Sequence, residues 1–484
     1  MGAGSSLLAR LLNGREQGGV LLPPPPRKVA SVMDSCGFHR GMHSREPLSI
    51  FHAYDVRGRW GEEISPSLGR RLGRALASRM NGPILIGRDT RSASRLLQNS
   101  ITEGLWDAGL PTVDLGILPT PAIGFACRES ARFGLAITPS HNPLGYVGVK
   151  AFTRAGIPFS TQWVAVSRTL ANLPASSVPK PSQPRQGSPR TSKEDWKPKY
   201  VGHLTTGRTT TAQVVVDTRG GATAQVALAA LQTMGADVLS MRTGFSARFF
   251  GDSPEPTPEN IEDLIARVLR ERAALGVTFD GDGDRVLFVD ETGVLIPPEA
   301  VAVFLHERLT PKRMPLVATA DASMRCEAKT LVVRSRIGSR FVTQAMKRSG
   351  ARVGFEVSSH YYLSDFAPDS DGVLTACILL DLLSSTRLRA SAVRKRFGPV
   401  HRLSGSLPFA SMSEARRTYR TLRARFQSRS LASPDGFYLL FGGGRVHIRP
   451  SNTQPVIRWT VEGTARRSLG RGVAFVHQEF LGLA

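Results

Sequence analysis

Apolar and polar positions alternate along this chain in two recurring rhythms. Residues 83–86 and 111–115 read as short apolar strands, and 134–137 as a third. Between the first two, after a turn at Gly87-Arg88-Asp89-Thr90, Leu97, Ile101 and Leu105 recur at i, i+4 spacing and predict a helix with one apolar face. The alternation returns with a strand at 213–216, a helix at 224–234 and a strand at 236–239. Over 261–272, Ile261, Leu264, Ile265, Val268 and Leu269 keep a 3.6-residue period. Strands at 276–279 and 286–289 bracket an acidic turn. A third unit covers about 299–388, with strands near 316–319 and 331–333. From about 395 the pattern changes to a helix near 413–426 and short strands around 437–440 and 446–448. Strands alternating with helices predict an α/β protein. No strict fixed-period repeat is visible, although the α/β units recur at domain-sized intervals.

Two stretches carry no such pattern. Residues 173–199 are rich in Pro, Ser and Lys and read as a linker or exposed loop. Residues 1–46 hold a Pro23–Pro26 run, few acids and no core pattern, and are expected to be a disordered or targeting extension. Their opening Met1-Gly2-Ala3-Gly4-Ser5-Ser6 matches a myristoylation pattern formally, as any Gly/Ser-rich start easily does. The expected divisions of the remainder are 47–190, 191–298, 299–390 and 391–484.

Composition narrows the picture further. The 484 residues are 41% hydrophobic and 21% charged, an ordinary globular balance. No run approaches the ~18–20 apolar residues of a membrane-spanning helix, so no membrane partner is expected. Cys36, Cys127, Cys326 and Cys377 are scattered, which fits a reduced compartment. The expected location is cytoplasmic, with organelle targeting by residues 1–46 as the alternative. The formal net charge of +24 would suit nucleic acid, an anionic membrane or anionic small substrates. The basic residues are spread along the chain without a zinc finger or RNA-binding signature, so a basic surface is expected rather than a nucleic-acid partner.

Four motifs carry chemistry. In Asp280-Gly281-Asp282-Gly283-Asp284-Arg285, three carboxylates alternate with glycines that let the backbone curl, so oxygens can converge on one hard cation. An EF-hand would need Gly at loop position 6, where Arg285 stands, and would follow a helix rather than a strand. A solvated acidic turn is the other alternative. Thr138-Pro139-Ser140-His141-Asn142-Pro143 ends an apolar strand with a serine beside a histidine, either a positioned nucleophile or a capped turn. Arg449-Pro450-Ser451-Asn452-Thr453-Gln454-Pro455, with Arg458 beyond, offers a phosphate cradle or an ordinary polar turn. Glu356-Val357-Ser358-Ser359-His360 could face a sugar, but alone reads as a solvated loop.

In this order and with these intervals, the four elements resemble the α-D-phosphohexomutase family over residues 50–465. The match opens at Ala53-Tyr54-Asp55-Val56-Arg57-Gly58 and continues through Gly87-Arg88-Asp89-Thr90-Arg91 and Pro119-Thr120-Pro121. The resemblance implies an α/β fold of four domains around a central cleft, the first three sharing a mixed α/β core and the fourth a smaller α+β domain. It implies that a phosphoserine at Ser140 interconverts hexose 6-phosphate and hexose 1-phosphate through a hexose 1,6-bisphosphate, which also serves as activator. Mg²⁺ would sit between Ser140 and Asp280, Asp282 and Asp284, with Arg285 stabilising the transferring group. Glu356 and Ser358 would bind sugar hydroxyls with His360 in support, while Arg449, Ser451, Asn452 and Thr453 would hold the phosphate that is not reacting. Lys150 and His141 would assist proton transfer, and Arg57 would support the phosphoserine. The implied partners are small hexose phosphates, and the implied state is a monomer or homodimer. The run His360-Tyr361-Tyr362 looks like the phosphomannomutase/phosphoglucomutase branch. The alternatives are a phosphoglucosamine-type mutase, or a weakly active relative that binds sugar phosphate or another protein. Departures from the family pattern are Val147 for Asn, Phe355 and Ser359 for Gly, and Gln454 for Glu. They bear on sugar preference and efficiency.

Overall fold

The computed structural model describes residues 50–52, 54–174, 191–451 and 455–480. The expected extension at 1–46, Ala53, most of the Pro-rich stretch, and Asn452, Thr453 and Gln454 lie outside the described residues.

Four sheets follow one another along the chain. The first contains β1 (Val56–Arg59), β2 (Ile84–Arg88), β3 (Thr112–Ile117), β4 (Gly134–Ile137), β5 (Tyr146–Phe152) and β6 (Thr191–Lys193), in the spatial order β1-β5-β4-β2-β3-β6. The second holds β7 (Gln213–Asp217), β8 (Asp237–Met241), β9 (Leu275–Phe279) and β10 (Val286–Asp290), ordered β10-β9-β7-β8. The third holds β11 (Leu316–Thr319), β12 (Val332–Ser335), β13 (Val353–Phe355) and β14 (Tyr361–Leu363), ordered β12-β11-β13-β14. The fourth is fully antiparallel: β15 (His401–Pro408), β16 (Ser430–Ser433), β17 (Gly436–Phe441), β18 (Gly444–Pro450) and β19 (Val456–Gly463). Helices Met412–Arg425 and Arg466–Phe480 accompany it, an α+β arrangement.

The first three sheets repeat one plan. In each, two strands pair in parallel, a third joins the first in parallel, and a fourth returns antiparallel to the third. The returning hairpins are β4–β5, β9–β10 and β13–β14. The serine loop, the triple-aspartate loop and the Glu356 loop are therefore the same connection, used three times. Sequence shows no period because the intervening helices and loops differ in length and composition, while backbone pairing sets the plan.

Residues 191–199, read as part of a linker, are ordered. Thr191–Lys193 pairs with β3 as an exposed edge strand, and Lys197–Thr205 is a helix held by buried Trp196 and Tyr200. A three-residue polar edge strand has no apolar alternation to detect.

One hydrophobic core runs through the first three units, from Leu85 and Val113 through Val214 and Phe288 to Leu316, Phe355 and Phe397. The fourth unit has a core of its own around Leu422, Phe437, Ile448 and Val461. It meets the third through buried polar contacts. Arg402 pairs with Glu299, and Glu462 accepts from the Ser323 hydroxyl and the Met324 N–H (2.9 Å). The Tyr438 hydroxyl donates to the Ala320 carbonyl at 2.7 Å.

Candidate active site

The three equivalent hairpins point their tips into one cavity of about 780 Å³, whose wall also includes Arg449 and Arg458 from the fourth sheet. Backbone contacts tie the tips together. Thr120 N–H donates to the Asp282 carbonyl (2.9 Å), and Val286 N–H to that of Ser359 (3.3 Å). Gly372 N–H donates to Gly283 O (3.1 Å), and a Cβ at Gly372 would fall 2.6 Å from the Arg285 carbonyl. Gly283 itself has φ +78, the left-handed conformation that costs glycine least.

Ser140 is 1% exposed and held at φ +56. Its N–H donates to Thr138 Oγ1 (2.9 Å) and its hydroxyl to Asp280 Oδ2 (3.1 Å). Arg91 clamps the loop from beneath, donating to the carbonyls of Ser140 (3.0 Å), Asn142 (2.5 Å) and Pro143 (2.7 Å). The second unit repeats this device. Asp217-Thr218-Arg219 echoes Asp89-Thr90-Arg91, and in each the aspartate Oδ1 accepts the arginine N–H (2.9 and 3.0 Å). Arg219 then donates to the Ser253 and Asn260 carbonyls, fixing the loop that carries Glu255.

Asp280, Asp282 and Asp284 are buried, with ligand oxygens within 4.8 Å of one another. Lys150 bridges Asp282 (2.8 Å) and Asp284 (2.6 Å), and the Thr120 hydroxyl donates to Asp282 Oδ2 (2.6 Å). Asp282 Oδ1 is buried and takes no hydrogen bond among the described residues. Burial, reinforced by the other two carboxylates, pushes Asp280 well above the ordinary aspartate range. Burial acts in the same direction on Asp284, but Lys150 and His360 outweigh it and hold this carboxyl well below that range. Three clustered carboxylates are unfavourable in a dry site without cations. An all-oxygen set of three carboxylates and a hydroxyl, with two buried oxygens (Asp282 Oδ1 and Asp284 Oδ1) that take no hydrogen bond among the described residues, fits a hard divalent cation.

Arg285 connects the loops. It donates to Glu255 Oε1 (2.7 Å) and to His141 Nδ1 (2.8 Å), and its Nε lies 3.4 Å from His360 Nε2. Burial, with Arg285 and Arg57 close by, drives His141 down to about 2, so its ring is neutral near pH 7. With Nδ1 accepting from Arg285, Nε2 carries the proton and donates. Lys150 is held above the ordinary lysine range: burial opposes its charge, but Asp282 and Asp284 prevail. Arg57 donates twice to Asp55 Oδ2 (2.7 and 2.9 Å) and once to Asn142 Oδ1 (2.7 Å).

The Glu356 loop is not the solvated loop that its residues alone suggest. Glu356 is 5% exposed; Oε2 accepts the Gly338 N–H (2.9 Å) and Oε1 the Tyr362 hydroxyl (2.5 Å). Ser358 Oγ and His360 Nδ1 lie 2.9 Å apart at the cavity wall. Tyr361 and Tyr362 are themselves buried in β14 and do not line the cavity. Tyr362 orients Glu356 and Tyr361 packs in the core, so of the His360-Tyr361-Tyr362 run only His360 faces the cavity. Phe355 is fully buried in the shared core rather than against the cavity. Val147 is likewise core, three residues and one pleat reversal from Lys150 on β5. Ser359 keeps φ +69, the conformation for which glycine is usual.

Arg449 and Arg458 face each other across β18 and β19. Ser451 is buried beside them. Burial and the Arg449 charge lower Arg458, which marks a place where an anion would be welcome. The sequence reading missed Thr120 as a hydroxyl donor, Arg91, Glu255 and Asp369. Arg91 and Thr120 had a usable signal: both stand in family-like motifs, at 87–91 and 119–121, and Asp-Thr-Arg recurs at two strand ends. The others come from loops whose convergence is purely tertiary.

Comparison with known proteins gives four family matches in chain order. They are phosphoglucomutase/phosphomannomutase alpha/beta/alpha domain I at residues 48–167, domain II at 198–293, domain III at 305–398 and the C-terminal domain at 411–478. A phosphoglucosamine mutase of Pelotomaculum thermopropionicum is 30% identical over 431 residues, covering 86% of this chain and 95% of its own. A phosphoglucosamine mutase of Paracoccus denitrificans is 30% identical over 437 residues, covering 85% and 94%. The crystal structure of a phosphoglucomutase/phosphomannomutase family protein from Burkholderia thailandensis shares the fold with TM-score 0.76 at 24% identity, covering 89% of this chain and 97% of that one.

Proposed function

The chain belongs to the phosphoglucomutase/phosphomannomutase family, the α-D-phosphohexomutases, which are intramolecular phosphotransferases of the isomerase class; from that premise we propose that its substrate is a hexosamine phosphate, glucosamine 6-phosphate interconverting with the 1-phosphate through a phosphoserine at Ser140. The observation that carries the mechanism is the Ser140 hydroxyl, 3.1 Å from one of three clustered aspartates in a cavity whose far wall presents Arg449 and Arg458. The hexosamine assignment is supported by the two relatives at 30% identity. The mannose or glucose preference expected from the His360-Tyr361-Tyr362 run is the second reading, and the relatives favour the hexosamine one.

Asp280, Asp282 and Asp284 would hold Mg²⁺ together with the Ser140 oxygen. When bound, the ion neutralises charge on the transferring phosphoryl group. The protein's own residues do the rest. Arg449, Arg458 and Ser451, with Asn452 and Thr453, hold the distal phosphate. Glu356, Ser358 and His360 orient the sugar so that one hydroxyl lies in line with the phosphoserine. The Ser140 Oγ–P bond breaks as the sugar O–P bond forms, giving a hexosamine 1,6-bisphosphate, and the sugar hydroxyl proton passes in net to Ser140 Oγ. Phosphoryl transfer of this kind depends on position and charge more than on a strong base. That suits a site where Lys150 and Arg285 are cationic and His141 donates. Lys150 and Arg57 stabilise the nucleophile's neighbourhood. The bisphosphate then turns over in the cavity and returns its other phosphoryl group to Ser140, so a hexose 1,6-bisphosphate primes unphosphorylated enzyme.

The test is turnover of glucosamine, glucose and mannose phosphates in parallel, with Mg²⁺ and a bisphosphate primer. Glucosamine phosphate should be the best substrate. Ser140→Ala should lose most turnover and the mass gain of one phosphoryl group on that residue. No turnover on any of the three sugars would leave a binding protein rather than a mutase.

A further inference from the structure

The cavity wall carries five carboxylates: Asp55, Glu255, Asp284, Glu356 and Asp369. Three already have a cation. Asp55 is taken by Arg57, Glu255 by Arg285, and Asp284 by Lys150. Glu356 has each oxygen engaged by a neutral donor, Gly338 N–H and the Tyr362 hydroxyl. Asp369 remains. Its Oδ1 accepts the Ser339 hydroxyl at 2.6 Å, and no cationic side chain pairs with it among the described residues. Ser339 follows Gly338, the residue that donates to Glu356, so Asp369 stands beside the Glu356 loop on the cavity wall.

Asp369 is half-buried on this wall, where a carboxylate without a paired cation gains when the ligand supplies one. Burial raises the pKa of Asp369, while the Ser339 hydroxyl, the Ser370 N–H and the more distant Lys150 charge pull it the other way. A neutral hexose phosphate brings only hydroxyls to this wall. A hexosamine phosphate brings an ammonium group near pH 7, which pairs with a carboxylate through a charge-assisted hydrogen bond. The phosphate that is not reacting goes to Arg449 and Arg458, which line the same cavity.

We infer that Asp369 is the residue that selects an amino sugar, receiving the 2-ammonium group of the substrate while the Ser339 hydroxyl holds its other oxygen. This rests on the hexosamine reading above. It assigns sugar choice to the segment before helix Gly372–Thr386 rather than to the Glu356 loop alone.

The experiment measures kcat/KM for glucosamine 6-phosphate, glucose 6-phosphate and N-acetylglucosamine 6-phosphate in wild type and in Asp369→Asn. The expected result is a fall in the glucosamine-to-glucose ratio on the order of ten- to a hundredfold, the weight of a charge-assisted contact. The ratio of N-acetylglucosamine to glucose, neither of which carries an ammonium, should stay within about twofold. Asp369→Glu should recover part of the lost preference. A merely structural role for Asp369 would lower all three sugars together and leave both ratios unchanged, which overturns the inference. A wild type that prefers glucosamine phosphate, combined with an unchanged ratio in the variant, defeats this inference alone. A wild type that turns over glucose phosphate at least as well defeats the substrate reading and this inference with it.

Discussion

Two serines in the loops that form this cavity sit at positive φ, and they do so for different reasons. Ser140 at φ +56 is held there by the Thr138 hydroxyl and the Arg91 clamp, which aim its Oγ at Asp280. Strain of this sort persists where surrounding contacts over-determine a working group. Ser359 at φ +69 contributes only its backbone, accepting Val286 N–H and donating to Glu356 O. Ser359→Gly should therefore stabilise the protein by about 1 kcal/mol. Thermal unfolding checks this, and a lower melting temperature would contradict it. Thr120 is a different kind of residue. Its hydroxyl orients Asp282 without itself belonging to the three-carboxylate set. Thr120→Val should weaken Mg²⁺ binding by roughly tenfold or more. Calorimetric titration of the metal reads this directly, and unaltered affinity would remove Thr120 from the account.

At the scale of elements, the hairpin return is the repeated working part, and a strand-end arginine is its fixture in the first two units. The fourth unit uses a different device, a basic strand pair. On β18, His447 lies between Arg445 and Arg449, with Nε2 3.0 Å from the Ser433 hydroxyl. Burial, then the charges of Arg449 and Arg445, lower it from 6.5 to about 3. The folded chain thus keeps His447 neutral where the unfolded chain would protonate it. Its contribution is fully present above about pH 6.5 and is lost progressively as pH falls toward 3. His447→Gln should flatten the acid limb of the stability profile by a few kcal/mol, on the order of 1.4 per pKa unit. Denaturant midpoints measured from pH 7 to pH 4 test this. Parallel profiles for the two proteins would show that other groups govern acid unfolding.

Over the whole molecule, three units share one apolar core, while the fourth has its own and is joined to the third by buried polar groups. The ion pair among these contacts joins Arg402 to Glu299, which is 1% exposed. Glu299→Ala would take from Arg402 its hydrogen-bonded carboxylate, leaving only the more distant Glu462 and Asp321, at a cost on the order of 2–3 kcal/mol. The expected outcome is a lower melting temperature, with the fourth unit becoming sensitive to protease before the other three. Melting and cleavage like wild type would mean that the joint is held elsewhere. A polar joint of this kind can shear without exposing an apolar core, as the proposed function would require of a domain beside the substrate cavity.

The amino-acid sequence alone determined the α/β class, the metal-loop carboxylates, the serine at a strand end and the arginine cradle. Each is local: a strand period, a Gly-spaced run of aspartates, a hydroxyl on a turn. It could not place Glu255 against Arg285, or Thr120 against Asp282, because these contacts join residues 30 and 162 positions apart. Nor could it tell that Phe355, Val147 and the two tyrosines after His360 face inward, since side-chain direction follows from strand register and from which face a neighbouring unit covers. The threefold reuse of one hairpin was hidden for the same reason. Backbone pairing conserves a plan whatever side chains decorate it, and the cavity exists only where three such plans and a fourth sheet close on one another.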